Sequence, residues 1–262
     1  MRKLIEYIIR VIEKVPLFKS LIRRFLFEYS FRKNKQEIIS LHNENINNGR
    51  LIRISIKDKK IKNRLINIFK ISFGFIIKLQ GLEIYSKPAA IILLPETIDD
   101  YLKFIGPKSR NMIRKAGKSG YVTKSFIWNE NLEDIFLIHT SSKIRQGRQM
   151  DKNYRQYPRP FDSIDTEDFK IKHIGVFHND RVVAYIELSV YGNFAMTRRI
   201  LGKKEDLKFG VMNLLFKEVI NYGITERAFK ILNYLTMENY KTNNLSAFKY
   251  RVGFREFTIQ QF

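Results

Sequence analysis

The chain has 262 residues, 44% of them apolar, enough to bury a core in one large domain or two small ones. Its 48 Lys and Arg against 26 Asp and Glu give a formal charge of +22, which favours an anionic partner: nucleic acid, an acidic membrane face or a phosphorylated substrate. The absence of cysteine excludes disulfides, thiolate zinc sites and a cysteine nucleophile, and the four scattered histidines lack metal-binding spacing, so no metal is expected.

Residues 3 to 33 read as a helix broken at Pro16. Leu4, Ile5, Ile8, Ile9 and Ile12 share one side, and Arg2, Lys3, Arg10, Lys14, Lys19, Arg23 and Arg24 occupy the other. Such a basic amphipathic arm can lie on an anionic membrane or pack on the protein body. Glu6, Arg10 and Glu13 interrupt the stretch a signal peptide would need, and no apolar run reaches spanning length, so a cytoplasmic protein, held peripherally at the inner membrane face, is expected. Residues 34 to 50, polar and rich in Asn, read as a linker. Leu51 to Ile56 alternates as a strand does, residues 59 to 70 suit a helix, and Ile91 to Leu94 suits a buried strand closed by Pro95. Thr97 caps a short helix whose first turn carries Asp99 and Asp100. A second helix, residues 109 to 120, carries Arg110, Arg114 and Lys118 as a basic stripe spaced by four, which marks Arg110 and Arg114 as substrate-binding candidates.

From Gly120 the order becomes regular. A strand over 121 to 128 leads to a helix over 131 to 143, then to a long basic loop over 145 to 160. Long loops inside compact domains are usually functional, and Arg145, Arg148 and Tyr154 become acceptor-binding candidates. Strands over 170 to 177 and 182 to 190 flank an Asn179-Asp180 turn of hairpin type, and a third strand covers 193 to 201. A basic loop, Lys203 to Phe209, feeds a helix over 210 to 223, whose unpaired first-turn N–H groups suit a phosphate. A strand over 230 to 237, a short helix from Asn244 broken at Gly253 and a strand over 256 to 260 close the chain.

This order resembles the GNAT acyltransferase fold. Two segments resemble its Fem-like branch: the Arg-rich helix Lys108 to Gly120, and Leu245 to Phe254 with its Phe-Lys-x-x-x-Gly ending. The resemblance implies an α+β fold, a mixed, mostly antiparallel sheet flanked by helices. It covers roughly residues 95 to 262; with the reading of the residues before it, three regions are expected: an arm and linker (1–50), a partial or degenerate first α/β region packed on the main domain (51–119) and the acyltransferase domain (120–262). It implies transfer of an acyl group from acyl-coenzyme A to an amine on a nucleotide- or lipid-linked amino sugar or cell-wall precursor. In Fem-like members the donor can instead be aminoacyl-tRNA. A third reading is a non-catalytic binder of nucleic acid or membrane surface on the same fold.

The site follows in part from the residues and in part from the resemblance. Glu187 lies in an apolar strand on the face of Val183, Tyr185 and Ser189. It is the candidate general base, with a pKa raised by burial. Arg198 and Arg199 end the next strand, and alternation sends them to opposite faces, so one of them, taken as Arg199, meets the donor phosphates. Lys203, Lys208, Phe209, Gly210, Val211 and Asn244 complete the expected donor site, although the stretch Asp206 to Met212 holds one glycine where GNAT loops usually hold two. Lys249 stands where many GNAT enzymes carry a tyrosine acid and matches the Fem-like pattern. It and neighbouring Tyr250 are the remaining catalytic candidates, with Lys249 suited to a phosphate or a developing oxyanion. Met212, Leu215, Val219, Phe248 and Phe254 are expected in the core.

Overall fold

A computed structural model describes residues 29, 31, 32, 34–54, 56, 58–145, 148–162 and 164–261. The expected basic arm over residues 2 to 33 lies outside the described residues, apart from Tyr29, Phe31 and Arg32.

The helices are α1 (Lys35–Asn47), α2 (Lys59–Phe73), α3 (Ile98–Phe104), α4 (Pro107–Lys118), α5 (Leu132–Thr140), α6 (Val211–Thr225) and α7 (Asn244–Arg251). The strands are β1 (Leu51–Ile52), β2 (Ile76–Leu79), β3 (Leu82–Tyr85), β4 (Ala89–Leu93), β5 (Val122–Ser125), β6 (Ile144–Arg145), β7 (Arg148–Gln149), β8 (Lys170–His178), β9 (Arg181–Tyr191), β10 (Phe194–Gly202), β11 (Ile231–Thr236) and β12 (Arg255–Ile259). Local chemistry explains many ends. The Asp58 and Thr97 side chains accept the amides of Ile61 and Asp100 at the starts of α2 and α3. Asn179 and Asp180 both take positive φ, the backbone of the tight turn that matches strand twist between β8 and β9.

Eight strands form one sheet in the order β1-β12-β4-β11-β10-β9-β8-β5. Only β1–β12 and β10–β11 pair in parallel, so the sheet is mostly antiparallel, as expected. The boundary expected at residue 120 does not divide it: β4, from the supposed first domain, lies between β11 and β12 and bonds to both. Strand alternation reveals which face is buried but not which strand is the neighbour.

One sheet face, with Ala184, Ile186, Leu188 and Val190 of β9, packs on Val211, Leu215, Phe216 and Val219 of α6. The other face is covered by two separate clusters. Ile135 and Ile138 of α5 meet Trp128, Tyr185 and Leu201, while Leu65, Phe69 and Phe73 of α2 meet Tyr85, Phe194 and Ile259.

The expected linker contains α1 instead. Its inward positions are polar, His42 and Asn45, and both are buried; His42 Nδ1 lies 2.8 Å from Thr258 Oγ1 of β12. Only one side of the imidazole is paired, since His42 Nε2 and Asn45 Nδ2 are buried without a hydrogen-bond partner among the described residues, and these polar inward positions interrupt any apolar stripe. Among the described residues, no helix is long and apolar enough to cross a membrane.

Candidate functional site: a splayed strand pair and a polar trough

β10 and β11 start as parallel neighbours but stay paired for three residues, from Phe194–Ile231 to Met196–Asn233. Two irregularities then separate them. On β11 the register with β4 breaks between Asn233 and Thr236, and Leu235 takes a positive φ of 52°. The fully buried Asn233 side chain holds this kink: its amide donates to Ala90 O and Leu235 O, and its Oδ1 accepts the Leu235 amide. On β10 a β-bulge lies between Thr197 and Arg199, and a bulge bends the strand that carries it.

The splay opens a cleft of about 440 Å³. Its walls are Ile200 to Gly202 of β10, Tyr234 of β11, Met212 of α6 and Asn244, Leu245 and Phe248 of α7, with Arg145 and Lys204 at its rim. Beyond Met196, β10 has no strand on this side, so backbone groups pointing into the cleft have no ladder partner there. The first-turn amides of α6 at Val211 and Met212 make no hydrogen bond among the described residues, whereas those of Asn213 and Leu214 reach Gly210 O. A helix start with free N–H groups beside an apolar cleft is a site for an anion with an apolar tail.

The predicted donor residues distribute unevenly. Asn244 lines the cleft, while its neighbour Asn243 caps α7 through the Ser246 amide. Lys203 pairs with Glu205 at 2.9 Å, and Lys208 is exposed beside the loop. Val211 is fully buried in the core. Phe209 is packed by Tyr121 and by the ammonium groups of Lys115 and Lys208. Gly210 has a positive φ of 88°, and a Cβ there would run into the Met112 carbonyl of α4. This glycine therefore serves the contact between α4 and α6 rather than an approach to a ligand. Met212 and Phe248, expected in the core, are half-buried: they pack against it and also line the cleft.

Lys249 is buried, and its Nζ donates to Thr236 O at 2.7 Å above the face of Tyr234. Burial pushes its pKa down to about 8, against an opposing pull from Glu238. It joins α7 to the end of β11, past the last residue that pairs with β10. Tyr250 turns outward, stacked on Tyr240 and beside Arg255, and does not line the cleft; one residue along a helix is a rotation of about 100°.

Glu187 sits among positive charges. It is buried, and Arg198 Nε and Arg199 NH1 each approach it to 3.4 Å, with His173 Nε2 at 3.6 Å. Burial alone would raise its pKa, but His173, Arg199 and Arg198 outweigh that and hold it below the usual carboxylate range. The expected raised pKa is thus corrected by three partners on neighbouring strands. The expected opposition of Arg198 and Arg199 is corrected as well: the bulge cancels the alternation, and both reach the same carboxylate. These groups form a polar strip, or trough, beside Phe161, which packs on both the α5 and the α2 clusters.

Among the acceptor candidates, Arg145 donates to Ile138 O and Gly202 O, tying α5 to the end of β10 while lining the cleft. Tyr154 presents its ring to His139, which lies 2.6 Å from the Tyr185 hydroxyl; burial lowers the His139 pKa to about 4. The side chain of Arg148 lies outside the described residues. Arg114 is exposed on α4, bonded to Asn111. Arg110 instead donates to Leu102 O and Ile105 O at the end of α3, a capping role that a surface stripe does not suggest. No sequence signal marks His139, His173 or Asn233, since each acts through a partner on another element. No group of three His, Asp or Glu among the described residues is placed to hold a metal.

No protein-family model matches the chain, and no curated protein sequence does. Solved structures do. FemX matches with a TM-score of 0.52 at 11% identity, covering 78% of this chain and 68% of its own. L-PGS from Bacillus licheniformis matches at 0.41 and 14%, covering 66% and 58%. A tandem GNAT protein from the clavulanic acid biosynthesis pathway matches at 0.38 and 12%, covering 74% and 55%. The chain spans 58% of the length of the first solved structures it matches. The likeness to FemX establishes a shared fold, the GNAT-like arrangement expected from the resemblance.

Proposed function

We propose that the chain is an N-acyltransferase that seats an activated acyl donor in the cleft between β10 and β11 and passes the acyl group to an amine. The observation that carries this reading is the splay itself: a 440 Å³ cleft between two parallel strands, with mostly apolar walls and Met212, in the first turn of α6, among its lining residues. Acyl-coenzyme A suits it, with an apolar arm for the walls and a diphosphate for the helix start and Lys204. The acceptor is an amine on a phosphate-bearing sugar or peptide precursor, in keeping with a charge of +22.

The amine nitrogen attacks the thioester carbonyl, the C–N bond forms, and the C–S bond breaks as the tetrahedral oxyanion collapses. The thiolate leaves with a proton, and the amine gives up its own. Among the described residues the cleft lining holds no carboxylate or histidine; in this reading water takes the proton, and catalysis rests on positioning and on backbone donors of β10. Lys249 acts as a strut that holds the end of β11 open.

Thiol release on mixing with acyl-coenzyme A and an amino-sugar nucleotide tests the proposal. The chain has no cysteine, so the protein adds no background to a thiol reagent. Replacing Ile200 by Trp fills the cleft and should abolish release while the fold persists. If acyl-coenzyme A neither raises the melting midpoint nor releases thiol, and aminoacyl-tRNA does both, the donor is the tRNA ester. If neither does, the transferase reading fails.

A further inference from the structure

Glu187 is the deepest charge in the trough, and its two arginine partners are not buried with it. The Arg198 and Arg199 side chains are 43% and 45% exposed, while that of Glu187 is 7% exposed. A guanidinium offers five N–H donors, and a single contact to Glu187 leaves most of each fork unspent. Among the described residues neither arginine pairs with another carboxylate, so two positive charges face one negative charge. His173 Nε2 is buried without a hydrogen-bond partner, and Trp128 and Phe161 pack beside its ring. Two guanidinium forks on one face, fixed from below and open above, match the oxygens of a phosphate or carboxylate. Arg199 precedes the cleft residue Leu201 by two positions, about 7 Å along a strand.

We propose that Arg198 and Arg199 form a clamp for the anionic group of the acceptor, and that Glu187 is the positioning residue that holds both forks toward it. This rests on the acyl-transfer reading for the name "acceptor", but the anion site itself does not. Glu187 then serves as a permanent counter-charge and not as a base, and Arg199 serves the acceptor and not the donor.

Trp128 supplies the readout. It is the chain's single tryptophan, with the Arg199 guanidinium 5.6 Å from its ring and the His173 ring at 5.0 Å. Its emission is titrated with inorganic pyrophosphate, inorganic phosphate and succinate in about 0.15 M NaCl, where exposed charges are screened. We expect a saturable change. Pyrophosphate as the tightest probe assigns a nucleotide- or lipid-diphosphate acceptor, inorganic phosphate a phosphomonoester, and succinate a carboxylate. The double variant Arg198→Lys with Arg199→Lys keeps the charge but loses the forks, and should bind the preferred probe about tenfold more weakly. Lys78→Gln, on the exposed β2–β3 hairpin, controls for loss of general charge and should bind as the wild type does. Unaltered binding by the arginine variant, or a wild-type response that never saturates, overturns the clamp. Far-ultraviolet circular dichroism confirms that the variant is folded, and Arg198→Lys alone, the milder change, replaces it if it is not. A melting shift with acyl-coenzyme A is measured in parallel: its absence beside an intact Trp128 titration would sink the donor reading and leave the clamp standing.

Discussion

Lys249 is the residue at which burial and charge conflict most openly. Its ammonium has one hydrogen bond, to Thr236 O, and an aromatic face, and these do not replace the water it gives up. Its folded pKa of about 8 lies below the ordinary lysine value of 10.5, so between those values the unfolded chain binds more protons than the folded one. Stability therefore rises with pH across that window, by about 3 kcal/mol from this group, and below pH 8 the cost of the buried charge is fully present. Urea unfolding of the wild type and of Lys249→Met checks this: the free-energy difference between them should move in the wild type's favour from pH 8 to 10.5. A difference that stays flat would mean that the ammonium is solvated and that the strut is drawn wrongly.

At the scale of elements, the approach of α4 to α6 depends on one atom's absence. Gly210 is the left-handed residue before α6, and any side chain there meets the Met112 carbonyl. Gly210→Ala combines a strained φ with a backbone clash that no rotamer relieves, so a loss of about 2 to 4 kcal/mol is expected from the urea midpoint. A loss under about 0.5 kcal/mol would show that α4 can withdraw freely. Other elements were legible because their signals are local. The Asn179-Asp180 turn, the Thr97 cap and the apolar stripe of α6 each sit within a few residues. α1 was illegible because His42 is matched by Thr258, 216 residues away. The convergence of Arg198 and Arg199 was illegible because alternation predicts divergence and only the bulge, visible against β9, reverses it. A phosphate-binding helix start was expected from element order, whereas the kink that opens the cleft belongs to Asn233, whose partner Ala90 is 143 residues back in the chain.

For the molecule as a whole, the consequence of β4 lying between β11 and β12 is that the cleft has no self-sufficient domain beneath it. Residues 120 to 262 hold the splay, the trough and α6, but not the strand that joins the last two strands to the sheet. They also lack Tyr101, whose hydroxyl donates to Val252 O, and Ser109, which donates to Arg251 O; both bonds seat the end of α7. Cutting at 119/120 removes Ala90, Ile92, Tyr101, Ile105 and Ala116 from the core and opens one edge on β11 and one on β12. Unpaired strand edges over an exposed core favour association with other chains. The fragment 120–262 should therefore show no cooperative thermal transition and should aggregate. Adding residues 34 to 119 as a separate chain should restore a melting transition, because the missing contacts need no covalent link. A lone fragment that melts cooperatively and stays monomeric would show that β11 and β12 can close on each other without β4, and that the acyl cleft is older and more independent than the sheet order indicates.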